Sequence, residues 1–330
     1  MLKVSVITPT YNHERFIARC LNSVRQQTYP LWEQIVIDDG STDCTWDIIE
    51  KYASEDSRIV PVRQSNVGIL RLAETYNRAL SMATGELIAI LEGDDFWPLR
   101  KLEEQLMWHE RAELTFSYGK VQYVCDRDNI NEYGFVPSVR GIQANTVFLR
   151  LLLTLSFGLE PSTIVIRRSA LETIGGFHQD PAFPAIDFST MVRLCLLPGQ
   201  SAFIDSLLGY YRQHDEQITR INGVELAEGS LRISQAVYDD LSVADRQALG
   251  ISMKDIVQSR HRLIADSHLA RMRLALRQKD RPLAMKSVKE LWKNGGTKRR
   301  TEAVVGLIAA WSGTNLEPLF HLYESVVMRR

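Results

Sequence analysis

The chemistry in this chain begins at Glu92-Gly93-Asp94-Asp95. Three carboxylates follow directly on the apolar run Leu87-Ile88-Ala89-Ile90-Leu91, which reads as a buried strand. A carboxylate leaves water at a cost of several kcal/mol unless it is paired or bound to a metal. No basic side chain follows until Arg100 and Lys101. The fitting partner is a hard divalent cation, which prefers carboxylate oxygens and keeps positions open for phosphate. A second acid pair, Asp38-Asp39, ends the apolar segment 33–37, and a third acid, Asp187, opens the helical pattern 187–196.

These acids need a scaffold. Apolar periodicity predicts strands over 4–9, 33–37, 59–62 and 86–91. Between them it predicts helices over 16–24, from Thr42 or Asp43 to Tyr52, and over 66–82. Alternation with short links means right-handed crossovers and a parallel sheet. Ligands of such sheets lie at the carboxyl ends of the strands. The turns holding Pro9 and Tyr11, Asp38 and Asp39, and Glu92 to Asp95 therefore meet at one edge. Further on, the pattern predicts a helix over 98–111, an antiparallel strand over 114–124, a polar mobile loop over 126–141 and a helix over 143–155. A strand over 162–166 and a last strand over 202–211 complete this part. From about residue 225 the pattern is helical throughout.

Bulk properties set limits. The 330 residues are 45% apolar, as in a soluble globular protein, and suffice for one large domain or two ordinary ones. The net charge of −1 hides an asymmetry: residues 251–330 hold 16 Lys and Arg against 7 Asp and Glu. A basic tail of this kind meets an anionic partner, or the acidic body itself. Cys20, Cys44, Cys125 and Cys195 form no C-x-x-C, which fits buried thiols in a reducing compartment. Met1-Leu2-Lys3 runs straight into a strand, which reads as no signal peptide, and no stretch is apolar enough to span a membrane. The expected location is cytoplasmic.

The ordered motifs resemble a known family. Val4-Ser5-Val6-Ile7-Thr8-Pro9-Thr10-Tyr11-Asn12, then Asp38-Asp39-Gly40-Ser41, is similar to the family 2 glycosyltransferases of GT-A fold. So are Asn66-x-Gly68 with Asn77 and Ala83-x-Gly85-Glu86. Glu92-Gly93-Asp94-Asp95-Phe96-Trp97 with Lys101-Leu102 and Gln105, and Gly175-Gly176-Phe177, Asp187 and Tyr211-Arg212-x-His214, complete the set over about residues 3–218. The resemblance implies an α/β fold with a Rossmann-like mixed sheet flanked by helices. Residues 1–220 would form the GT-A domain, with a nucleotide-binding half (1–97) and an acceptor half (98–220). Residues 221–330 would be an all-α extension.

The resemblance also implies an activity: inverting transfer of a sugar from a nucleotide diphosphate sugar, UDP-linked by expectation, to a glycan or lipid-linked acceptor. The work implied is cell-surface polysaccharide synthesis, with Mg or Mn as cofactor and no nucleic-acid partner. Mapped here, Asp39 would accept a hydrogen bond from the base and Tyr11 would pack on it, with Thr8, Pro9, Asn66 and Gly68 lining the donor. Asp94 would sit near ribose and diphosphate, Asp95 would ligate the metal with His214, and Glu92 is a further candidate ligand. Asp187 would be the general base. Ile186 stands where many members carry Glu, and Tyr76 where many carry Arg, so Arg71 becomes the candidate phosphate contact.

Blander readings compete. Asp39 and Asp187 could be helix caps, and His214 a surface histidine. Trp97 could be core, a lid or a sugar platform. His13, His109, His178, His261, His268 and His321 have no ligand spacing and read as structural or solvated. A sugar nucleotidyltransferase and a catalytically silent binding or scaffold protein share the fold. The former usually carries a Gly-rich basic loop after its first strand, which Pro9-Thr10-Tyr11-Asn12-His13 is not. A dehydrogenase lacks its G-x-G-x-x-G here. In the tail, Lys298-Arg299-Arg300 followed by the apolar 304–311 reads either as a helix meeting the inner face of a membrane or as one buried in an oligomer interface.

Overall fold

The first strand, β1 (Val4–Thr10), is buried at all seven positions, so it must lie inside a sheet covered on both faces. In the computed structural model it pairs in parallel with β2 (Trp32–Asp38) and β4 (Leu87–Ile90), and β2 pairs in parallel with β3 (Ile59–Arg63). The structure describes residues 1–125, 130–133, 139–154, 160–214, 216–294 and 296–312; of these, the side chains of 130–133, 294, 297, 298 and 309–312 are not described. The crossovers carry α1 (Ile17–Arg25), α2 (Thr45–Glu55) and α3 (Leu72–Met82). Ile17, Cys20, Leu21 and Val24 of α1 recur at helical spacing and pack with Val6, Val36 and Ile49 in one core cluster.

The first strand does not stop at the proline, as its sequence predicts. It runs to Thr10 because the Pro9 carbonyl points toward β4, whose regular pairing has ended at Ile90. The missing N–H therefore leaves no ladder bond unmade. No side chain of Thr42 caps α2; the Asp43 carboxylate instead accepts from the Thr45 N–H at 3.0 Å.

The second half of the sheet is mixed. After α4 (Lys101–Arg111) come β5 (Leu114–Cys125), β6 (Ile130–Tyr133), β7 (Gly141–Ala144) and α5 (Asn145–Leu153). Then follow β8 (Val165–Arg167), α6 (Arg168–Thr173), α7 (Asp187–Leu196) and β9 (Gln200–Gln213). The order is β3-β2-β1-β4-β8-β5-β9-β7, with β6 paired to β5. Among the described residues, nine strands form this sheet. The expected antiparallel strand over 114–124 is antiparallel to β8 but parallel to β9. The strand expected over 162–166 is split: Pro161–Thr163 forms a 3-10 turn before the shorter β8. Of the loop expected over 126–141, residues 130–133 are strand, and 126–129 and 134–138 lie outside the described residues.

The chain divides into two compact units, residues 1–217 and residues from 218 onward. The second is helical: α8 (Ile218–Ile221), α9 (Gly223–Asp240), α10 (Val243–Leu249), α11 (Met253–Arg277), α12 (Arg281–Asn294) and α13 (Thr297–Ser312). Gly250, in the left-handed region, ends α10, and Ser252 with Asp255 forms a capping box that starts α11. Ala265, Leu269, Met272, Val288, Leu291 and Ala303 form the core of α11–α13.

α13 buries one side and leaves apolar residues open on the other. Glu302 and Ala303 are buried, whereas Val304, Leu307 and Ile308 are exposed. The expected basic cluster is divided too. Arg299 pairs with Asp266 and Glu302, and Arg300 donates to the Trp292 carbonyl. The side chains of Lys298 and Trp311, and all of His321, lie outside the described residues. Among the described residues no helix is long and apolar enough to cross a membrane.

Candidate active site

The acidic turn is clamped from both sides. Toward β1, the Leu91 N–H donates to Ile7 O at 3.0 Å and the Gly93 N–H to Pro9 O at 3.1 Å. Only glycine fits at 93, because a Cβ there would sit 2.7 Å from Thr10 Cβ and 2.9 Å from His13 Nδ1. Toward β9, Phe96 and Tyr210 exchange main-chain bonds and stack at 4.6 Å. The Arg212 N–H donates to Asp95 Oδ1 at 2.8 Å, and its guanidinium to Asp94 O at 2.9 Å. Trp97 is buried and donates through Nε1 to Ser162 O at 2.6 Å, which makes it core.

This clamp gives the acids different environments. Asp95 is 1% exposed, and among the described residues its Oδ2 has no hydrogen-bond partner as close as that of its Oδ1. Burial, then the charges of Asp94 and Glu92, push its carboxyl well above the ordinary range. Asp94 faces the other way. His214 Nε2 lies 3.1 Å from Asp94 Oδ2, and although burial opposes ionisation, His13 and His214 hold the Asp94 carboxyl below its usual value. The Glu92 carboxylate accepts from Tyr76 Oη at 3.1 Å and is raised to about 8 by burial, then by Asp94 and Asp187.

Sequence reasoning placed Asp95 and His214 together on a metal. The structure sets His214 against Asp94 and ties Asp95 to the main chain of β9. His13, read as structural or solvated, stands beside both: its ring is 6.3 Å from that of His214, and Thr10 Oγ1 lies 3.1 Å from its Nδ1. Its place two residues after Tyr11, at the carboxyl end of β1, was the available signal. Asp94 and His214 present an oxygen and a ring nitrogen suited to a divalent cation that takes its other ligands from a diphosphate. Among the described residues no group of three or more His, Cys, Asp or Glu side chains could hold a metal by itself.

The donor-side residues meet at the same edge. The Asp39 N–H bonds Thr10 O. The Asp39 carboxylate accepts from Gln64 Nε2 at 2.7 Å and from the Val67 N–H at 3.0 Å. It therefore shapes the 66–68 turn rather than capping α2. Gly40 is needed there, since it has φ +76° and a Cβ would come 2.8 Å from Asn66 N. Tyr11 is 44% exposed at the rim. Thr8 is buried and bonds Gln34, so it offers only main chain. Arg71, the candidate phosphate contact, is exposed, and its guanidinium makes two bonds to Glu74 three residues along, 2.6 and 2.7 Å.

Asp187 occupies the first turn of α7 without capping it. Burial raises its carboxyl, and the N–H groups of Phe188 and Asp187 oppose the rise. Asp187 acts electrostatically on Tyr76, Glu92 and Glu160, so it lies near them. The Gly175-Gly176-Phe177 turn leads to it, and Asn77 of α3 holds that turn through two 2.8 Å bonds to the Phe177 main chain. Buried Ile186 fills the position before Asp187. Glu160, which sequence reasoning missed, is raised to about 7 by burial, with Tyr123 lowering it and Asp187 raising it further. No motif marks it; only the fold brings it to Asp187.

Comparison with known proteins decides the family. The description "Glycosyl transferase family 2" matches residues 5–175, more than half of the chain. This chain belongs to glycosyl transferase family 2. It is 36% identical over 179 residues to "Putative glycosyltransferase EpsE" of Bacillus subtilis, covering 53% of this chain and 60% of that protein. It is 31% identical over 185 residues to "UDP-Glc:alpha-D-GlcNAc-diphosphoundecaprenol beta-1,3-glucosyltransferase WfaP" of Escherichia coli, covering 56% and 65%. The chain thus spans less than two thirds of the length of either of these two relatives. S. aureus TarS 1–349 in complex with UDP-GlcNAc superposes with a TM-score of 0.60 at 18% identity, over 93% of this chain and 90% of that one. A Pyrobaculum calidifontis mannosyltransferase, in complex with GDP-Man and Mn2+, does so with 0.57 at 17%, over 95% and 88%. The fold of this family 2 member is GT-A.

Proposed function

We propose that this protein is an inverting glycosyltransferase that moves a sugar from a UDP-linked donor to a hydroxyl of a glycan or lipid-linked acceptor. The observation that carries the reading is the division of labour across one turn. Asp94 faces His214, and the neighbouring Glu92 feels the charge of Asp187. A diphosphate site and a base thus share one cleft. The WfaP relative, named for a UDP-glucose donor and a diphosphoundecaprenol-linked acceptor, supports the substrate classes.

A divalent Mg or Mn ion, when bound, would neutralise the diphosphate leaving group. Asp94 and His214 would hold it. Tyr11, Asp39 and the 66–68 turn would receive the base and ribose. Asp187 would accept the proton of the acceptor hydroxyl as its oxygen bonds the anomeric carbon and the bond to the diphosphate breaks on the opposite face. A thermal-shift panel of UDP-, GDP- and dTDP-sugars with Mn tests this. A UDP-sugar at a hundred times its Kd should add about 2.7 kcal/mol of stability. No shift with any sugar nucleotide would overturn the reading.

For the tail, the open Val304, Leu307 and Ile308 face supports a peripheral membrane contact. Co-sedimentation with anionic liposomes should fall when all three become serine. Equal sedimentation of parent and variant, or none by the parent, would count against the contact.

A further inference from the structure

Glu160 takes no part in the scheme above, yet it is built into the cleft. Tyr123 Oη donates to its Oε1 at 2.9 Å, and among the described residues this is its one side-chain hydrogen bond. The Tyr123 ring meets that of Tyr211 edge-on at 5.7 Å, which ties the pair to the strand that leads to Arg212 and His214. The Glu160 carbonyl accepts from the Thr163 N–H at 3.0 Å and Thr163 Oγ1 at 2.9 Å. Pro161 follows, and the next carbonyl, of Ser162, takes the Trp97 indole N–H. Backbone and side chain are thus both fixed relative to the acidic turn. Glu160 feels the charge of Asp187 and acts on Glu92, whereas the charges that act most on Asp94 are those of His13 and His214. It therefore stands near Asp187 and Glu92.

We propose that Glu160, oriented by Tyr123, is an acceptor-binding residue: its second carboxyl oxygen hydrogen-bonds a hydroxyl of the acceptor sugar and holds the nucleophilic hydroxyl against Asp187. The proposal rests on the reading of Asp187 as the base. A fixed carboxyl is well matched to a polyol, because each hydroxyl supplies a directed donor at hydrogen-bond distance. No bond is made or broken at Glu160; it acts on position alone.

The test uses the full chain, a UDP-sugar selected by the panel above and an alkyl N-acetylglucosaminide as acceptor probe. Donor hydrolysis, in which water replaces the acceptor, is followed in parallel. Glu160→Gln and Tyr123→Phe should raise the probe's KM, or its inhibition constant against donor hydrolysis, by about tenfold or more. Donor KM and the hydrolysis rate should stay at parental values. A donor KM that rises with the acceptor KM, or an acceptor KM that does not move, overturns the proposal. A probe that neither accepts sugar from the parent nor slows its hydrolysis overturns it too. If Glu160→Gln fails to fold, Tyr123→Phe carries the same comparison. Failure of the base itself reads differently, as undiminished hydrolysis and transfer by Asp187→Asn.

Discussion

Asp187→Asn keeps nucleotide-sugar affinity and loses transfer by roughly two orders of magnitude or more, the usual worth of a positioned base. The amide keeps the size of the carboxylate, and position 187 lies in the first turn of α7, where the side chain is not a cap. The fold should therefore persist. What is lost is the one property an amide lacks, the ability to take a proton from an alcohol. In the parent, burial raises the Asp187 carboxyl. The base works only when ionised, so transfer should fall as pH drops through a value above the ordinary aspartate range, and this acid limb should vanish in the variant. The measurement is kcat and donor Kd for both proteins across pH. Near-parental kcat in the variant would sink the assignment.

Asp94→Asn is expected to abolish the metal-dependent part of donor binding. In the parent, EDTA should weaken UDP-sugar binding and Mn should restore it. In the variant, donor affinity should match the EDTA-treated parent and respond to neither. The reason is geometric: Asp94 Oδ2 and His214 Nε2 face each other at 3.1 Å, and the local imidazoles keep this acid ionised. Asp95→Ala should behave otherwise. It strands the buried Arg212 N–H and so costs stability, about 1–3 kcal/mol, seen as a lower melting temperature. If Asp95→Ala folds as well as the parent and alone removes the Mn response, the two roles are reversed.

Much of the first half of the fold was legible because its signals are local. Four apolar runs, each followed by turn residues and a helical period, specify β1 to β4, and parallel pairing then brings residues 9–11, 38–39 and 92–95 to one edge. Gly93 and Gly176 carry a local signature of close approach, although what they approach, β1 and Asn77, is remote in sequence. Asp187 was legible as the acid that opens a helix. The Arg71 pairing was local as well, three residues along the chain, but charge alone did not separate a nearby carboxylate from a phosphate.

By itself, then, the sequence determined the strand–helix alternation and parallel character of the first half, the convergence of the acids and their supply of candidate ligands. Only the tertiary structure decided what surrounds each acid. Asp94 and Asp95 are neighbours of one type, and they differ because β9 returns more than a hundred residues later to place its Arg212 N–H on one and His214 on the other. Glu160 is oriented by Tyr123, a partner 37 residues away in sequence. Environment sets the protonation and direction of a carboxylate, and here the environment is made of residues that periodicity cannot pair.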